Sequence, residues 1–510
     1  MFEGRFARRY FFCGPLLAGA VPRGGFGSVR SLKAAGYKSP NEKLNLAAIG
    51  AGGQPAADLR IAQGGVENVV ALADVDWDRG AASFKRYPQA KRYKDYRRML
   101  DEQGDQIDAV IVGPPDHMHA KAALDCMQAG KHIYLEKPLT RTAWEARMLT
   151  RAAEKYKVAT QMGNQGYSHD ATRVAAEIIW SGEIGEVREV HAWSGRPGWP
   201  QGMTKVPPTT PAPDTLDWDL WLGGAAARPF TAGDDEYRKF AATHNGSPHF
   251  GFYLPFNWRG FYDFGSSLIG DWGIHILGPA NWALQLQPKY LISVECVKKD
   301  SLPPFTFPNK LTIRYDFGPR PGMPPVTVYW YQGVDGDAYL PPGMTVEEAA
   351  KIPGQGPQVG PVRGQGGFVP GAGGTAPAKP VRSGYNMIFV GSKGYLGTSG
   401  RGEGVGLLPG KRWADYKLPP PYLTRSPGAS TGSNHDAHCR DFIRAAKGGA
   451  PACSNFSIAG PFTEWLVLGA AAVHVDGKLM WDNAKGEFSN HQEANRWVKP
   501  RFRKGWEVKL

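Results

Sequence analysis

The chain holds 510 residues, 42% of them hydrophobic and 21% charged, which is a globular composition, long enough for two cores and unlike that of a disordered protein. Its 60 basic and 47 acidic residues give a net charge of +13, but the cations are scattered, so a nucleic-acid partner is not expected and the excess reads as solvated surface. No apolar run approaches the ~18 residues that span a bilayer.

At the start, Arg8-Arg9-Tyr10-Phe11-Phe12 precedes a short apolar stretch from Cys13 to Val21, interrupted by Pro15, with Ala18-Gly19-Ala20 offering small residues for cleavage. This pattern predicts a twin-arginine signal, hence an exported, periplasmic protein without stable membrane insertion once residues 1–43, signal and linker, are set aside. Cys126, Cys296, Cys439 and Cys453 are widely spaced and lack Cys-x-x-Cys pairing. Neither a disulfide framework nor a metal site is expected, and these cysteines read as small buried apolar residues.

From Leu44 the rhythm is that of alternating strands and helices. Strands are predicted at Leu44–Ile49, Val69–Ala73, Ala109–Val112, His132–Leu135 and Val158–Met162. Helices are predicted at Asp95–Gln103, Ala120–Ala129 and Trp144–Tyr156. Short apolar strands separated by helices imply an α/β fold with a doubly wound parallel sheet over residues 44–166. After a helix at Ala171–Trp180 the pattern changes to longer, alternating strands at Val187–Trp193, Tyr290–Val297, Leu311–Tyr315 and Val326–Tyr331. These predict a second α/β domain, residues 167–510, around a mainly antiparallel open sheet. Residues 340–383 are dense in Pro and Gly and read as an insertion, too long for an ordinary connector.

The first strand runs into Gly50-Ala51-Gly52-Gly53, where Gly50 and Gly52 permit the tight turn and close backbone approach that a pyrophosphate needs at a helix N-terminus. Pro55 stands where the third glycine of a dinucleotide fingerprint would fall, which predicts a looser helix-to-strand contact. Asp74 ends the second strand and suits the ribose hydroxyls of NAD while repelling a 2′-phosphate. On the same sheet edge, Pro115 and His119 of Pro115-Asp116-His117-Met118-His119, Glu136 and Lys137 of Glu136-Lys137-Pro138, and the pair Asn164-Gln165 are candidate cofactor contacts. Gly53, Trp258 and Arg259 complete that set, the last two adding stacking and charge. The two histidines of the third-strand turn have poor metal-ligand spacing and read as turn and cap residues.

Lys137, fixed at a strand end, is placed to donate to a substrate oxygen. Asp271 and His275 are four residues apart, so on a helix they share a face, and a carboxylate-oriented histidine can accept a hydroxyl proton. Trp193, Trp199, Trp218 and Trp221 are numerous enough to line a sugar pocket.

Ile49-Gly50-Ala51-Gly52-Gly53, Pro115 to His119, Ala129 to Thr140, Gly163 to Gly166 and Gly270 to His275 together make the chain resemble the Gfo/Idh/MocA family, named for glucose–fructose oxidoreductase and inositol dehydrogenase, in its exported subgroup. The resemblance implies a Rossmann domain followed by a substrate and oligomerisation domain. It also implies catalytic roles for Lys137, Asp271 and His275, with His275 as base and Asp271 orienting it or touching substrate. The expected reaction is hydride transfer from a secondary hydroxyl of a sugar, polyol or glycoside to NAD, in a homo-oligomer. Two alternatives stand beside it: a redox-neutral NAD-dependent glycosidase acting by transient oxidation and elimination, and a sugar-binding protein without turnover.

Overall fold

The computed structural model describes residues 42–243, 251–350, 352, 355–357, 359, 383–425 and 434–510. The twin-arginine segment and most of the Pro/Gly-rich insertion lie outside these residues. None of the described helices is long and apolar enough to cross a membrane.

Six parallel strands form the first sheet: β1 (Asn45–Ile49), β2 (Asn68–Ala73), β3 (Lys91–Tyr93), β4 (Ala109–Val112), β5 (His132–Leu135) and β6 (Thr160–Met162). Their spatial order is β3-β2-β1-β4-β5-β6, which reverses direction between β1 and β4 and opens a crevice at the strands' C-terminal edge. Ala109–Val112 is buried at every position, as a central strand covered on both faces must be. The crossovers are α1 (Gln54–Gln63), α2 (Trp77–Arg86), α3 (Tyr96–Gln103), α4 (Asp116–Gln128) and α5 (Ala143–Tyr156). Asp76 caps α2 and Asp95 caps α3, each side chain accepting from a first-turn amide. Thr142 and Glu145 form a capping box on α5.

The helix α6 (Asp170–Trp180) leads into β7 (Val187–Ser194) of a nine-stranded sheet. Its remaining strands are β8 (Leu291–Lys299), β9 (Leu311–Phe317), β10 (Val326–Gln332), β11 (Met387–Gly391), β12 (Gly394–Ser399), β13 (Gly404–Leu408), β14 (Leu479–Asp482) and β15 (Glu487–Phe488). Only β7 and β10 pair in parallel; every other neighbouring pair is antiparallel. Along β9 and β10 burial alternates residue by residue, the signature of a sheet with one packed face.

Two long helices, α7 (Asn434–Ala446) and α8 (Phe456–Ala472), join the halves. Trp465 of α8 meets Tyr315 and Phe317 of β9 edge-on at 5.1 and 5.3 Å. On its other side, α8 receives Arg147 of α5, whose guanidinium lies 2.5 Å from Glu464 and also donates to Asn483. One hydrophobic core therefore runs without interruption from Val110 and Ile133 to Ile313 and Trp330.

Candidate active site

A cleft of about 270 Å³ follows the C-terminal edge of the six-stranded sheet. Gly50 and Gly52 form its floor, and the backbone there leaves no room for a side chain. Gly50 holds φ +81°, and a Cβ on Gly52 would lie 2.4 Å from the Arg79 carbonyl oxygen. Asp74 closes this end: its Oδ2 accepts from the amides of Ala51 (2.8 Å) and Gly52 (3.2 Å), and Oδ1 accepts from Asp76 at 3.0 Å. Burial pushes its carboxyl up to about 6 against these hydrogen bonds. Gly53 caps α1 at φ 65° and stands outside the lining.

Pro55 does not loosen the helix as the sequence implied. The residue is buried in the first turn of α1, and a Cβ placed on Gly113 would lie 2.2 Å from its Cγ. The close approach is kept, with the glycine moved to the end of β4 and the ring filling the space.

Pro115 caps α4, and His119, one turn in, bridges two segments. Its ring nitrogens stand 2.8 Å from the carbonyl oxygens of Pro138 and Pro114. Burial pulls its pKa down to about 4, so the ring is neutral and donates to one of the two carbonyls. It thereby ties the β4 turn to the segment that carries Lys137. Asp116 was quoted in the motif without a role. The structure places it on the cleft wall, 2% exposed, with Ser266 Oγ at 3.5 Å as its hydrogen-bond donor. Burial pushes its carboxyl up to about 8, reinforced by the charge of Asp271 and opposed by Arg259 and Lys137. A carboxylic acid directly after a strand-ending Pro-Pro, on the ligand edge of the sheet, was the available signal.

Lys137 lines the cleft, and its Nζ donates to Asp271 Oδ1 at 2.6 Å. Arg259 Nε donates to that same oxygen at 2.9 Å. Burial would raise the Asp271 carboxyl, but the two cations outweigh it and hold it down to about 2. The guanidinium of Arg259 sits among aromatic faces, 4.2 Å from the Trp258 centroid and 4.5 Å from that of Phe256. Phe256 carries a φ of 70°, unusual for a bulky residue, at the cleft mouth.

The expected Asp271–His275 pairing is not formed. The helix breaks at Trp272 into two short turns, Ser267–Asp271 and Gly273–Ile276, so the two side chains part company. Asp271 turns to the cations, while His275 is 2% exposed, outside the cleft lining, with Nδ1 buried and unpartnered. Burial, with Arg401 and Lys137 nearby, drives its pKa well below the ordinary value.

Of the other expected contacts, Glu136, Trp258 and Arg259 line the cleft, whereas Asn164 and Gln165 do not. Both polar atoms of the Asn164 amide are buried without a partner, an unmet donor and acceptor of the kind a carboxamide satisfies. The glycine cradle and the strand-end Asp74, both in the cleft lining, make the residues present fit a dinucleotide. Trp221 reaches the cleft, stacked at 4.8 Å on Trp218. Trp199 packs near Arg259, and Trp193 lies in a separate cluster with Tyr385. Trp506 also lines the cleft, held beneath the Arg97 guanidinium at 4.1 Å, while nearby Arg503 donates to Gly223 O at 2.7 Å.

Residues 44–164 match the family model described as an oxidoreductase family with an NAD-binding Rossmann fold. A dTDP-3,4-didehydro-2,6-dideoxy-α-D-glucose 3-reductase of Saccharopolyspora spinosa is 32% identical over 159 residues, 31% of this chain and 43% of that protein. An inositol 2-dehydrogenase of Salmonella typhimurium is 33% identical over 129 residues, 25% of this chain and 38% of that protein. The matched stretch is thus under half of either relative's length. Among solved structures, an inositol dehydrogenase homologue of Azotobacter vinelandii, complexed with NADH and myo-inositol, superposes with a TM-score of 0.50 at 17% identity, over 86% of this chain and 98% of that one. The WlbA dehydrogenase of Bordetella pertussis, in complex with NADH and UDP-GlcNAcA, gives 0.53 at 11% identity over 86% and 99%. Over residues 44–164 the chain is similar to the Gfo/Idh/MocA oxidoreductases, a family described by its NAD-binding Rossmann fold.

Proposed function

We propose that the protein oxidises a secondary hydroxyl of a sugar, polyol or glycoside, with NAD as hydride acceptor. The observation that carries this reading is the Lys137 ammonium, held at 2.6 Å by Asp271 on the wall of a cleft that begins at the glycine turn and Asp74. Gly50, Gly52 and Asp74 would hold the dinucleotide, which supplies a hydride acceptor. Asp271 anchors the Lys137 ammonium and restricts where its remaining N–H groups point. Those groups polarise the substrate oxygen and stabilise the negative charge that develops as its proton leaves. His275, neutral and with Nδ1 unpartnered, is assigned as proton acceptor, and Asp116, on the cleft wall, as a second group able to hold a proton near the same cations. The aromatic surfaces of Trp221, Trp258 and Phe256 give a sugar ring apolar faces to lie against.

Export and self-association are part of the same proposal. Arg8-Arg9 followed by an apolar stretch supports the first. The half-buried row Thr327, Tyr329 and Tyr331 along β10 of the large sheet supports the second.

The test is to purify the protein, read bound NAD(H) by absorbance, and incubate it with sugars, polyols and aryl glycosides. Net NADH with a keto product is expected, lost in Lys137→Ala. Released aglycone without net NADH would replace this reading with the redox-neutral glycosidase. A protein that binds no NAD would overturn both.

A further inference from the structure

Beneath the cleft, outside every role assigned so far, three metal-ligating side chains converge. Asp58 lies on α1 and is fully buried. His435 and Cys439 are one turn apart on α7 and so project from one face. Their donor atoms and that of Asp58 all lie within 4.8 Å of one another. Asp58 Oδ1 meets His435 Nε2 at 2.5 Å and accepts from Gln54 at 3.0 Å, whereas its Oδ2 is buried with no partner. Glu136 stands within hydrogen-bonding reach of Asp58, 6% exposed, and its Oε1 is also unpartnered. The hydroxyl of Tyr134 lies within hydrogen-bonding reach of the Cys439 thiol.

Two carboxyl groups that abut in a dry interior need either a shared proton or a cation between them. Burial pushes Asp58 up to about 7 and Glu136 well above its ordinary value, which describes the protonated alternative. A shared proton, however, uses neither the thiol nor the helical spacing that brings a thiol and an imidazole to the same point. Sulfur, nitrogen and oxygen donors together select a borderline divalent ion and disfavour the hard cations Mg²⁺ and Ca²⁺.

We propose that Asp58, His435 and Cys439 bind a zinc ion, with Glu136 alongside to complete the coordination. This proposal departs from the expectation, drawn from cysteine spacing, of no metal site and of Cys439 as a small buried apolar residue. Tetrahedral zinc has bonds of about 2.0–2.3 Å, which places donors roughly 3.5 Å apart. Asp58 and His435, now 2.5 Å apart, must open by roughly 1 Å, while any pair near the 4.8 Å limit closes by about as much, both by side-chain rotation. Coordination displaces both the thiol proton and the proton shared by Asp58 and Glu136, so the site forms with release of two protons. Four protein donors leave no open position for water, so the ion is structural: it staples α7 to α1, the helix whose N-terminus faces the glycine turn.

The test uses the full chain, purified without a metal-binding tag, loaded with zinc and dialysed against metal-free buffer. Elemental analysis is expected to give close to one zinc per chain. Cys439→Ser and His435→Ala should each weaken retention by roughly tenfold or more, while Cys453→Ser, whose thiol faces Ser168 and His438 instead, keeps the full content. Cobalt substitution should add a thiolate charge-transfer absorption in the wild type that is missing in Cys439→Ser, which reads the site even where stability changes. Wild-type protein without stoichiometric metal and without that absorption would overturn the proposal, leaving Asp58 and Glu136 sharing a proton. Cys439→Ser retaining full zinc would overturn it equally. NAD binding and turnover are scored separately, so this outcome is independent of the catalytic reading.

Discussion

The Pro55–Gly113 contact makes a prediction that can be worked through in numbers. In Gly113→Ala the new Cβ would lie 2.2 Å from Pro55 Cγ and 3.1 Å from its Cβ. Non-bonded carbons settle about 3.5–4.0 Å apart, so the ring must retreat by roughly 1.5 Å and take the first turn of α1 with it. Overpacking of this kind costs about 1–3 kcal/mol. Pro55→Gly, which restores the third glycine of the fingerprint, vacates the space but gives up about 0.5–1 kcal/mol of unfolded-chain restriction. If the two sites were independent, the double variant would lose the sum. The geometry predicts instead that Pro55→Gly rescues Gly113→Ala, with a coupling energy of roughly 1–2 kcal/mol. Urea unfolding of the four proteins followed by tryptophan fluorescence measures the cycle, and calorimetric NAD titration shows whether the turn is restored as well. A double variant as unstable as the sum of its parts would refute the reasoning.

Three further outcomes are expected. Asp116 has a folded value of about 8, so the unfolded chain loses its proton first, and native stability falls as pH rises from about 4 toward 8. Asp116→Asn should flatten that slope, and identical urea midpoints for variant and wild type at about pH 5 and again at about pH 8 would contradict the assignment. Asp271 shows the opposite sign: its folded value of about 2 lies below the ordinary 3.8, so its contribution, roughly 2 kcal/mol, is intact above about pH 4 and is lost as pH falls toward 2. Asp271→Asn should remove this acid sensitivity and, by leaving Lys137 and Arg259 unneutralised, lower turnover by roughly 10²-fold, as acid melts and steady-state kinetics would show. Glu464→Ala strips the carboxylate from half-buried Arg147, which keeps Asn483 as a partner, and should cost roughly 1–3 kcal/mol in chemical denaturation with NAD affinity little changed.

The nucleotide half of the fold was legible because its central strands are uninterrupted apolar runs. Ala109–Val112 and His132–Leu135 appear with the bounds their sequence suggested. The edge strand Lys91–Tyr93 was missed, being three residues long and largely charged. So were Met387–Gly391, Gly394–Ser399 and Gly404–Leu408, whose glycines read as loop until cross-strand pairing is seen. In the site, the spacing of four between Asp271 and His275 suggested a shared face, but Trp272 breaks the helix between them. The partner that Asp271 does take, Lys137, lies 134 residues away and is set by tertiary packing. Asp58 and Cys439 are 381 residues apart (439 minus 58), a separation over which no local pattern speaks.

Trp506 gives the cleft a temporal property. One wall of the nucleotide site comes from the first strand and its turn, and another from a residue made some 450 positions later and clamped under Arg97. During synthesis the glycine turn is therefore ready long before the enclosure is. Until the segment around Arg503 and Trp506 docks, that turn is an open ledge without its far wall. A chain shortened before Trp506 would keep its Rossmann strands and lose this wall, so weaker cofactor retention is expected of it.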